Sequence, residues 1–384
     1  MDLRHKFLVR SRTARVSILS LATIALLGAV LALTNGSPLS AGAINTSRAG
    51  GNGASLCFGQ VAVSQRLADA ETLIDQNSNL VTHTIGVQAL PGISEYSGDG
   101  RFLFVSSYQS QSIAVIDTAT NTVLRTLSFG GLKPQRFTPS VDGSILWVNV
   151  FDGTSYALQK IDALTGTALT PQVAIGQIYA MFLSPDGTTL WTAQSGFSVD
   201  ILEINATTLA TLSITPTSAN GSSLSMNRAG SFIYLADSSL SGVVVFDTAT
   251  KAVTRLGNVM YLRELVVSPS GTTLYGVAGP QWHAVAIDTA TGAETQGVNL
   301  TSLTAGGPTN GIDVTADGTK IYIAIINYAN GGLVVLQTSN IATGSFIPLE
   351  VYAGPATCPL TSDPASIVTT TTAAADPVAP SFTG

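Results

Sequence analysis

The chain has 384 residues, of which 45% are hydrophobic and only 10% are charged, and its formal net charge is −6. This apolar content excludes disorder over most of the chain and predicts a large hydrophobic core, although the length alone fits one large domain or two average ones. The acidic balance lacks the clustered Lys and Arg side chains that nucleic-acid binding requires, so no nucleic-acid partner is expected.

Residues 1–43 have the pattern of an export signal. Basic residues between Arg4 and Arg15 precede an uncharged apolar run at 16–33, and the small residues Ala41 and Ala43 follow it. The run is at the short end of what spans a bilayer, so an uncleaved N-terminal anchor is the alternative, and membrane contact is expected only through it. Either interpretation places the body of the chain outside the cytoplasm, secreted or at the cell surface, after a flexible linker at 44–56.

A first motif recurs along the chain: an apolar strand ends in Asp or a substitute, and a turn rich in Thr, Ala or Asn follows. The strand-end residues, at steps of 41 to 49, are Asp75, Asp117, Asp162, Asn205, Asp247, Asp288 and Gln337. Side chains of this kind bond to backbone N–H groups two or three residues further on. We therefore expect them to cap their own turns rather than to bind a metal or take part in catalysis.

A second motif lies between the copies of the first, a polar turn with Gly followed by a strand of alternating apolar residues. Its copies begin at Ser97, Ser140, Ser184, Asn227, Ser268 and Thr315. The alternation predicts half-buried strands, and two hairpins in each period give four short strands. Such a small sheet cannot bury both faces alone, so we predict an all-β seven-bladed β-propeller of four-stranded antiparallel blades over residues 57–367.

The chain ends are predicted to share one blade. Residues 59–75 align without gaps on 101–117, so the N-terminus begins at a second strand, and residues 354–367 are weakly similar to 132–145 and supply the innermost strand. Cys57 and Cys358 would then be neighbours. Export permits a disulfide between them, and two unrelated buried thiols are the alternative.

These motifs resemble the YVTN-type repeats of seven-bladed propellers, in which a Ser-Pro-Asp-Gly turn precedes a strand and a Val-Ile-Asp-Thr-Ala-Thr turn closes the unit. The best copies are residues 184–191, 146–149 and 115–121. The resemblance implies the propeller fold and three kinds of function: surface-layer-like structural proteins, propellers that bind a ligand or partner, and hydrolases of sugar lactones. Similarity at the level of fold does not choose among them.

In a propeller, the loops between second and third strands share one face with the loops that lead into the innermost strands, and we call this the loop face. Its predicted binding residues are the aromatics Tyr108, Phe151, Phe197, Trp282 and Tyr328, with Arg136 and Asn310 at the starts of innermost strands. Exposed aromatic rings favour a saccharide-like ligand or the side chains of a protein partner. The alternative is that each ring packs on a neighbouring blade.

Catalysis has less support in the sequence. His283 is the one histidine expected on the loop face, and Glu264, Arg263 or Asp152 would be its companions in acid–base chemistry. The sequence has no zinc spacing, calcium loop, phosphate-binding loop or nucleophile elbow, so neither a metal nor a cofactor is expected.

The leading hypothesis is therefore an exported binding propeller without an assigned catalytic residue. A lactonase-like hydrolase is the first alternative, and a structural surface-layer component is the second. Residues 368–384 are rich in Thr, Ala and Pro and are expected to form a disordered tail.

Overall fold

The chain folds into seven four-stranded antiparallel sheets, as the repeats predict. The computed structural model describes residues 59–194, 198–221, 223–238, 242–257, 259, 261–279, 282–303, 309–325, 331–349 and 353–357, all in the unit Ile44–Gly384. The segments 1–43, 44–56 and 368–384 lie outside the described residues, as do Cys57, Cys358, Phe197 and Tyr328, so the predictions on them stay predictions.

Each sheet is one blade, and the first strands of most neighbouring blades contact one another. Blade 1 consists of β28 (Ala353–Thr357), β1 (Gln60–Gln65), β2 (Ala70–Asp75) and β3 (Val81–Gly86). Blade 2 consists of β4 (Pro91–Tyr96), β5 (Phe102–Ser107), β6 (Ser112–Asp117) and β7 (Thr122–Ser128). Blade 3 consists of β8 (Lys133–Pro139), β9 (Ile145–Phe151), β10 (Tyr156–Asp162) and β11 (Val173–Ile175). Blade 4 consists of β12 (Ile178–Leu183), β13 (Thr189–Gln194), β14 (Asp200–Asn205) and β15 (Thr211–Pro216).

The remaining three blades have the same order, from the innermost to the outermost strand. Blade 5 consists of β16 (Leu224–Met226), β17 (Phe232–Ala236), β18 (Val243–Asp247) and β19 (Val253–Leu256). Blade 6 consists of β20 (Leu262–Val267), β21 (Thr273–Ala278), β22 (His283–Asp288) and β23 (Glu294–Asn299), with a short 3-10 helix at Leu300–Ser302. Blade 7 consists of β24 (Thr309–Val314), β25 (Lys320–Ile325), β26 (Gly332–Gln337) and β27 (Asn340–Pro348).

The two chain ends close the ring by sharing blade 1. The C-terminal strand β28 pairs antiparallel with the N-terminal strand β1, with Ala62 opposite Thr357 and Val63 opposite Ala356. The predicted closure by strands from both chain ends is therefore confirmed. It joins the first and last described strands in one sheet, so opening the ring breaks backbone hydrogen bonds.

The Asp residues of the first motif cap their own turns, as expected. Asp75 Oδ1 accepts hydrogen bonds from the N–H groups of Asn77 and Ser78 at 3.1 and 2.7 Å. The same pattern occurs at Asp117, Asp162, Asn205, Asp247 and Asp288. The N–H three residues on is the main reason that the pKa of Asp75, Asp162 and Asp247 lies below its ordinary value.

The second motif also satisfies its own backbone. Ser97 Oγ accepts a hydrogen bond from the Phe102 N–H at 3.0 Å, and Gly100 adopts a φ of 73°, which glycine tolerates without strain. Thr118 Oγ1 donates to the Gly100 carbonyl at 2.7 Å and so ties the two turns of one blade together. The same tie occurs at Thr248, Thr289 and Thr338. We call the face formed by these repeated turns the turn face.

The inner strands are buried more completely than the alternating sequence predicts. All six residues of β5 are buried, whereas the outermost strand of the same blade, β7, is exposed at six of its seven positions. The reason is that each blade lies between two others, so its inner strands are covered on both faces. An apolar and polar alternation cannot distinguish a strand covered on one face from one covered on both.

In blades 2 to 7, one buried aromatic residue of the second strand packs between neighbouring blades. These residues, all 7% exposed or less, are Phe104, Trp147, Trp191, Tyr234, Tyr275 and Tyr322. The Trp147 Nε1–H donates to the Ala206 carbonyl of the next blade at 2.8 Å, and the rings of Trp191 and Phe246 meet edge to face at 5.5 Å. The hydrophobic core is thus a series of interfaces between blades.

Replacing Trp147 with Ala should lower the free energy of unfolding by about 3–5 kcal/mol, because it opens a cavity between blades 3 and 4. Trp147→Phe keeps an aromatic ring and loses the bond to Ala206, so its cost should be nearer 1 kcal/mol. Chemical denaturation would measure both values. The control is Leu212→Ser, since Leu212 is 56% exposed and surface changes stay within about 0.5 kcal/mol. Equal destabilisation by Trp147→Ala and the control would contradict the interface model.

Candidate functional site

The two faces of the ring differ in how regularly their residues repeat from blade to blade. The turn face repeats the same residues and the same hydrogen bonds from blade to blade, because those turns serve the fold. The loops of the loop face differ in length and composition in every blade. Binding residues are disproportionately found on loops held by a rigid scaffold, so the loop face is where a functional site is sought.

A rigid aromatic pair stands on blade 3. Phe151 ends β9 and lies opposite Tyr156 at the start of β10, and their rings stack at 4.6 Å with an angle of 30°. Asp152 holds the loop between them, because its Oδ1 accepts hydrogen bonds from the N–H groups of Thr154 and Ser155 at 2.7 and 2.8 Å. The bond from Ser155 is the main cause of the lowered pKa of Asp152. The pair is therefore fixed in place by its own hairpin.

Two further tyrosines lie near this pair on the adjacent blades. Burial raises the pKa of Tyr156, and the phenols of Tyr108 on blade 2 and Tyr179 on blade 4 raise it further. The Lys133 ammonium group lies 4.8 Å from the centre of the Tyr108 ring. Aromatic side chains from three consecutive blades thus share one neighbourhood with a cation.

Arg136 joins blades 3 and 4 beneath this surface. Its Nε donates to the Tyr179 carbonyl at 2.7 Å and its Nη1 donates to the Gln135 carbonyl at 3.1 Å, and the residue is only 6% exposed. We call this group of side chains the aromatic patch: Tyr108, Lys133, Arg136, Phe151, Tyr156 and Tyr179. The patch thus consists of half-buried rings at the loop face with a buried cation beneath them.

The structure unites only some of the residues singled out in the sequence. Tyr108, Phe151 and Arg136 lie in the aromatic patch, whereas Trp282 lies on blade 6. Trp282 is half-buried against the core of blades 6 and 7, and the Arg263 guanidinium lies 5.1 Å from its ring centre. Asn310 lies in β24, and its side chain is outside the described part of the structure.

The three residues of the hydrolase alternative each have a different neighbour. His283 Nε2 lies 3.5 Å from Glu294 Oε1 on the outermost strand of its blade. Glu264 is 1% exposed and points the other way, toward blade 7. Arg263 is exposed over Trp282, which agrees with the expectation that adjacent strand residues point to opposite faces.

Glu264 has a structural role in the ring. Its carboxylate accepts hydrogen bonds from Thr309 Oγ1 at 2.9 Å and from the Gly311 N–H at 2.8 Å, both on the innermost strand of blade 7. Burial raises the pKa of Glu264 to about 7 in spite of these bonds. The hydroxyl groups of Ser223 and Ser225 likewise accept hydrogen bonds from backbone N–H groups of blade 6. Buried polar side chains thus bond to the backbone groups at the free edges of innermost strands.

Sequence reasoning did not single out Lys133, Tyr156 or Tyr179 as site residues. Tyr156 carries a usable signal, because in a hairpin with Asp152 to Ser155 as its loop it must lie opposite Phe151. Lys133 and Tyr179 carry no such signal in the sequence, since they join the patch through contacts between different blades.

Other kinds of site have little support in the described residues. No group of three or more His, Cys, Asp and Glu side chains there is arranged to hold a metal ion, and no described helix is long and apolar enough to cross a bilayer. A groove of about 290 Å³ runs between blades 2 and 3 at the rim, lined by residues that include Leu127, Phe129, Leu132, Gln159 and Gln172. Its volume is at the lower end of small-molecule sites.

Comparison with known proteins supports the fold. No protein-family model and no curated protein matches the sequence, so the YVTN-type resemblance stays an interpretation of its repeats. Hydrazine synthase from Kuenenia stuttgartiensis is similar, with a TM-score of 0.59 and 16% identity over 79% of this chain and 97% of that chain.

Two other solved structures are similar to the same extent. A functionally unknown protein from Desulfotomaculum acetoxidans DSM 771 has a TM-score of 0.60 and 14% identity, over 77% of this chain and 100% of that chain. The β-propeller domain of Cps50 (Swd1) from Myceliophteria thermophila has a TM-score of 0.58 and 11% identity, over 73% and 95%. At such low identity these likenesses define the class, a seven-bladed β-propeller, and nothing about activity.

The buried carboxyl group of Glu71 makes a pH dependence of stability testable. Glu71 is fully buried between blades 1 and 2, Ser64 Oγ donates to it at 2.7 Å, and burial raises its pKa to about 8. At pH values between 4.5, the ordinary pKa of this carboxyl group, and about 8, Glu71 keeps its proton in the folded state and loses it in the unfolded state. Stability therefore falls as the pH rises through this window and is level above it.

We expect the melting temperature to fall from pH 5 to pH 8, and Glu71→Gln to make that decrease smaller, with Glu264, whose pKa burial raises to about 7, contributing the remainder. Thermal unfolding followed by circular dichroism at several pH values would measure it. Glu294→Gln is the control, because that carboxylate is 43% exposed. An unchanged slope in Glu71→Gln would show that Glu71 is ionised in the folded state.

Proposed function

We propose that the protein is an exported, non-enzymatic binding propeller that holds a saccharide-like ligand on the aromatic patch of its loop face. The observation that carries the proposal is the stacked Phe151 and Tyr156 pair, half-buried and fixed by its own hairpin, with Tyr108 and Tyr179 beside it. The C–H face of a sugar ring packs on aromatic rings, while phenols, amides and cations bond to its hydroxyl groups.

Binding accounts for the side-chain arrangement better than hydrolysis does. A lactone hydrolase needs a base and an electrostatic stabiliser directed at one reacting carbonyl. Here the Glu264 carboxylate is taken up by Thr309 and Gly311, and the neighbour of His283 is Glu294 on an outermost strand. The rings of the aromatic patch, by contrast, are partly exposed and come from three blades.

The proposal predicts that Phe151→Ala combined with Tyr156→Ala weakens oligosaccharide binding at least about tenfold, since loss of a well-packed aromatic anchor typically costs 1–2 kcal/mol or more. Calorimetric titration of the purified protein with a panel of neutral and acidic oligosaccharides would measure the affinity. The melting temperature should change little, because both rings are half-buried at the surface.

The matched control is Tyr261→Ala. Tyr261 is an aromatic residue on the loop face that is 52% exposed and lies on blade 6, away from the aromatic patch. Its replacement should leave the affinity unchanged. Equal binding by the double variant would reject this site, and failure of the whole panel to bind would favour a protein partner in place of a saccharide.

A further inference from the structure

We infer that the ligand of the aromatic patch is an anionic saccharide, one that carries carboxylate groups, and that Lys133 selects it. This inference rests on the function proposed above and adds the chemical class of the ligand. Its basis is the position of cations and hydrogen-bond donors on the loop face of a protein whose net charge is −6.

Within the part of the chain that the structure describes, Lys133 is a cation without a carboxylate partner. Among the described residues, no Asp or Glu oxygen lies within 4.0 Å of its Nζ, and the contact that it does make is with the ring of Tyr108 at 4.8 Å. Three other cations are bound by protein oxygens: Lys251 lies 3.1 Å from Glu203, Arg255 lies 2.7 Å from Asp237, and Lys320 bonds to the Gln76 carbonyl. Arg101, Lys160 and Arg263 lie on aromatic rings as Lys133 does, but outside the aromatic patch. An ammonium group held on an aromatic ring is free to attract an anion from solution.

Hydrogen-bond donors accumulate where β8 begins. Besides Lys133 and Arg136, the strand carries Gln135, whose Nε2 is buried and donates to no group in the described part of the chain. The nearest acidic residue of this hairpin, Asp152, directs its carboxylate at the N–H groups of its own loop and so does not pair with Lys133. Of these groups Lys133 is the charged donor that is not buried, and a carboxylated sugar offers it a charged acceptor that a neutral sugar lacks.

The opposite face of the ring is rich in acidic side chains. Nine Asp side chains occupy the turns of the turn face: Asp75, Asp99, Asp117, Asp142, Asp162, Asp186, Asp247, Asp288 and Asp317. Hydrogen bonds from their own turns hold the pKa of most of them below the ordinary value, so they stay ionised well into the acid range. These carboxylates disfavour the binding of an acidic polymer on the turn face.

The test uses pairs of ligands that differ only in charge. Hexasaccharides of galacturonic, mannuronic and glucuronic acid are each compared with their methyl-esterified form by calorimetric titration of the intact protein, at 50 and 300 mM salt. For the configuration that binds, the acid should bind at least about tenfold more tightly than the ester at low salt. The difference should shrink at high salt, because salt screens an exposed ion pair.

Two variants separate the role of Lys133 from a general effect of charge. Lys133→Gln should bind acid and ester equally, at the affinity of the ester for the unchanged protein, whereas Lys133→Arg should keep the preference. The matched control is Arg263→Gln, which removes a cation that also lies on an aromatic ring of the loop face, on blade 6. This variant should keep the preference for the acid.

The outcomes distinguish this inference from the function on which it rests. Equal affinity of the unchanged protein for acid and ester overturns the inference and leaves saccharide binding in place. A preference that persists in Lys133→Gln also overturns it, since another group would then select the charge. Failure of every acid and every ester to bind overturns the inference together with its premise.

Discussion

Each blade of this protein depends on its two neighbours, because a sheet of four short strands cannot cover both of its own faces. The buried aromatic residues of the second strands, such as Trp147 and Trp191, contribute to this by packing across from one blade to the next. The ring is therefore stable only when it is complete. Pairing of β28 with β1 completes it and makes the two ends of the described chain part of one sheet.

The same constraint explains the charged residues at the centre. The innermost strands have one edge without a partner strand, and buried N–H groups there cost free energy unless something bonds to them. Glu264, Ser223 and Ser225 bond to such groups on the next blade, and Arg136 bonds to a carbonyl in the same way. Polar residues that resemble catalytic candidates in the sequence are thus accounted for by the requirement to close the ring.

The loop face does not have to close the ring, and its loops vary from blade to blade. Its loops do not carry the repeated caps of the turn face, so they can differ in length and composition from blade to blade. The aromatic patch arises from this division, since Tyr108, Tyr156 and Tyr179 come from three blades that only the ring brings together. A site of this kind uses the propeller as a rigid support.

The sequence by itself determined the fold class, the number of blades, the shared first blade and the capping of the turns by residues such as Asp117. It could do so because turns and strand alternation are local, and because seven copies of one pattern reinforce one another. The sequence also placed Phe151 and Arg136 on the loop face. Only the tertiary structure decided which side chains meet: the pairing of Lys133 with Tyr108, the burial of Glu264 against Gly311, and the separation of His283 from Glu264. These contacts join residues on different strands and blades, and their geometry follows from how the blades pack, which no local pattern records.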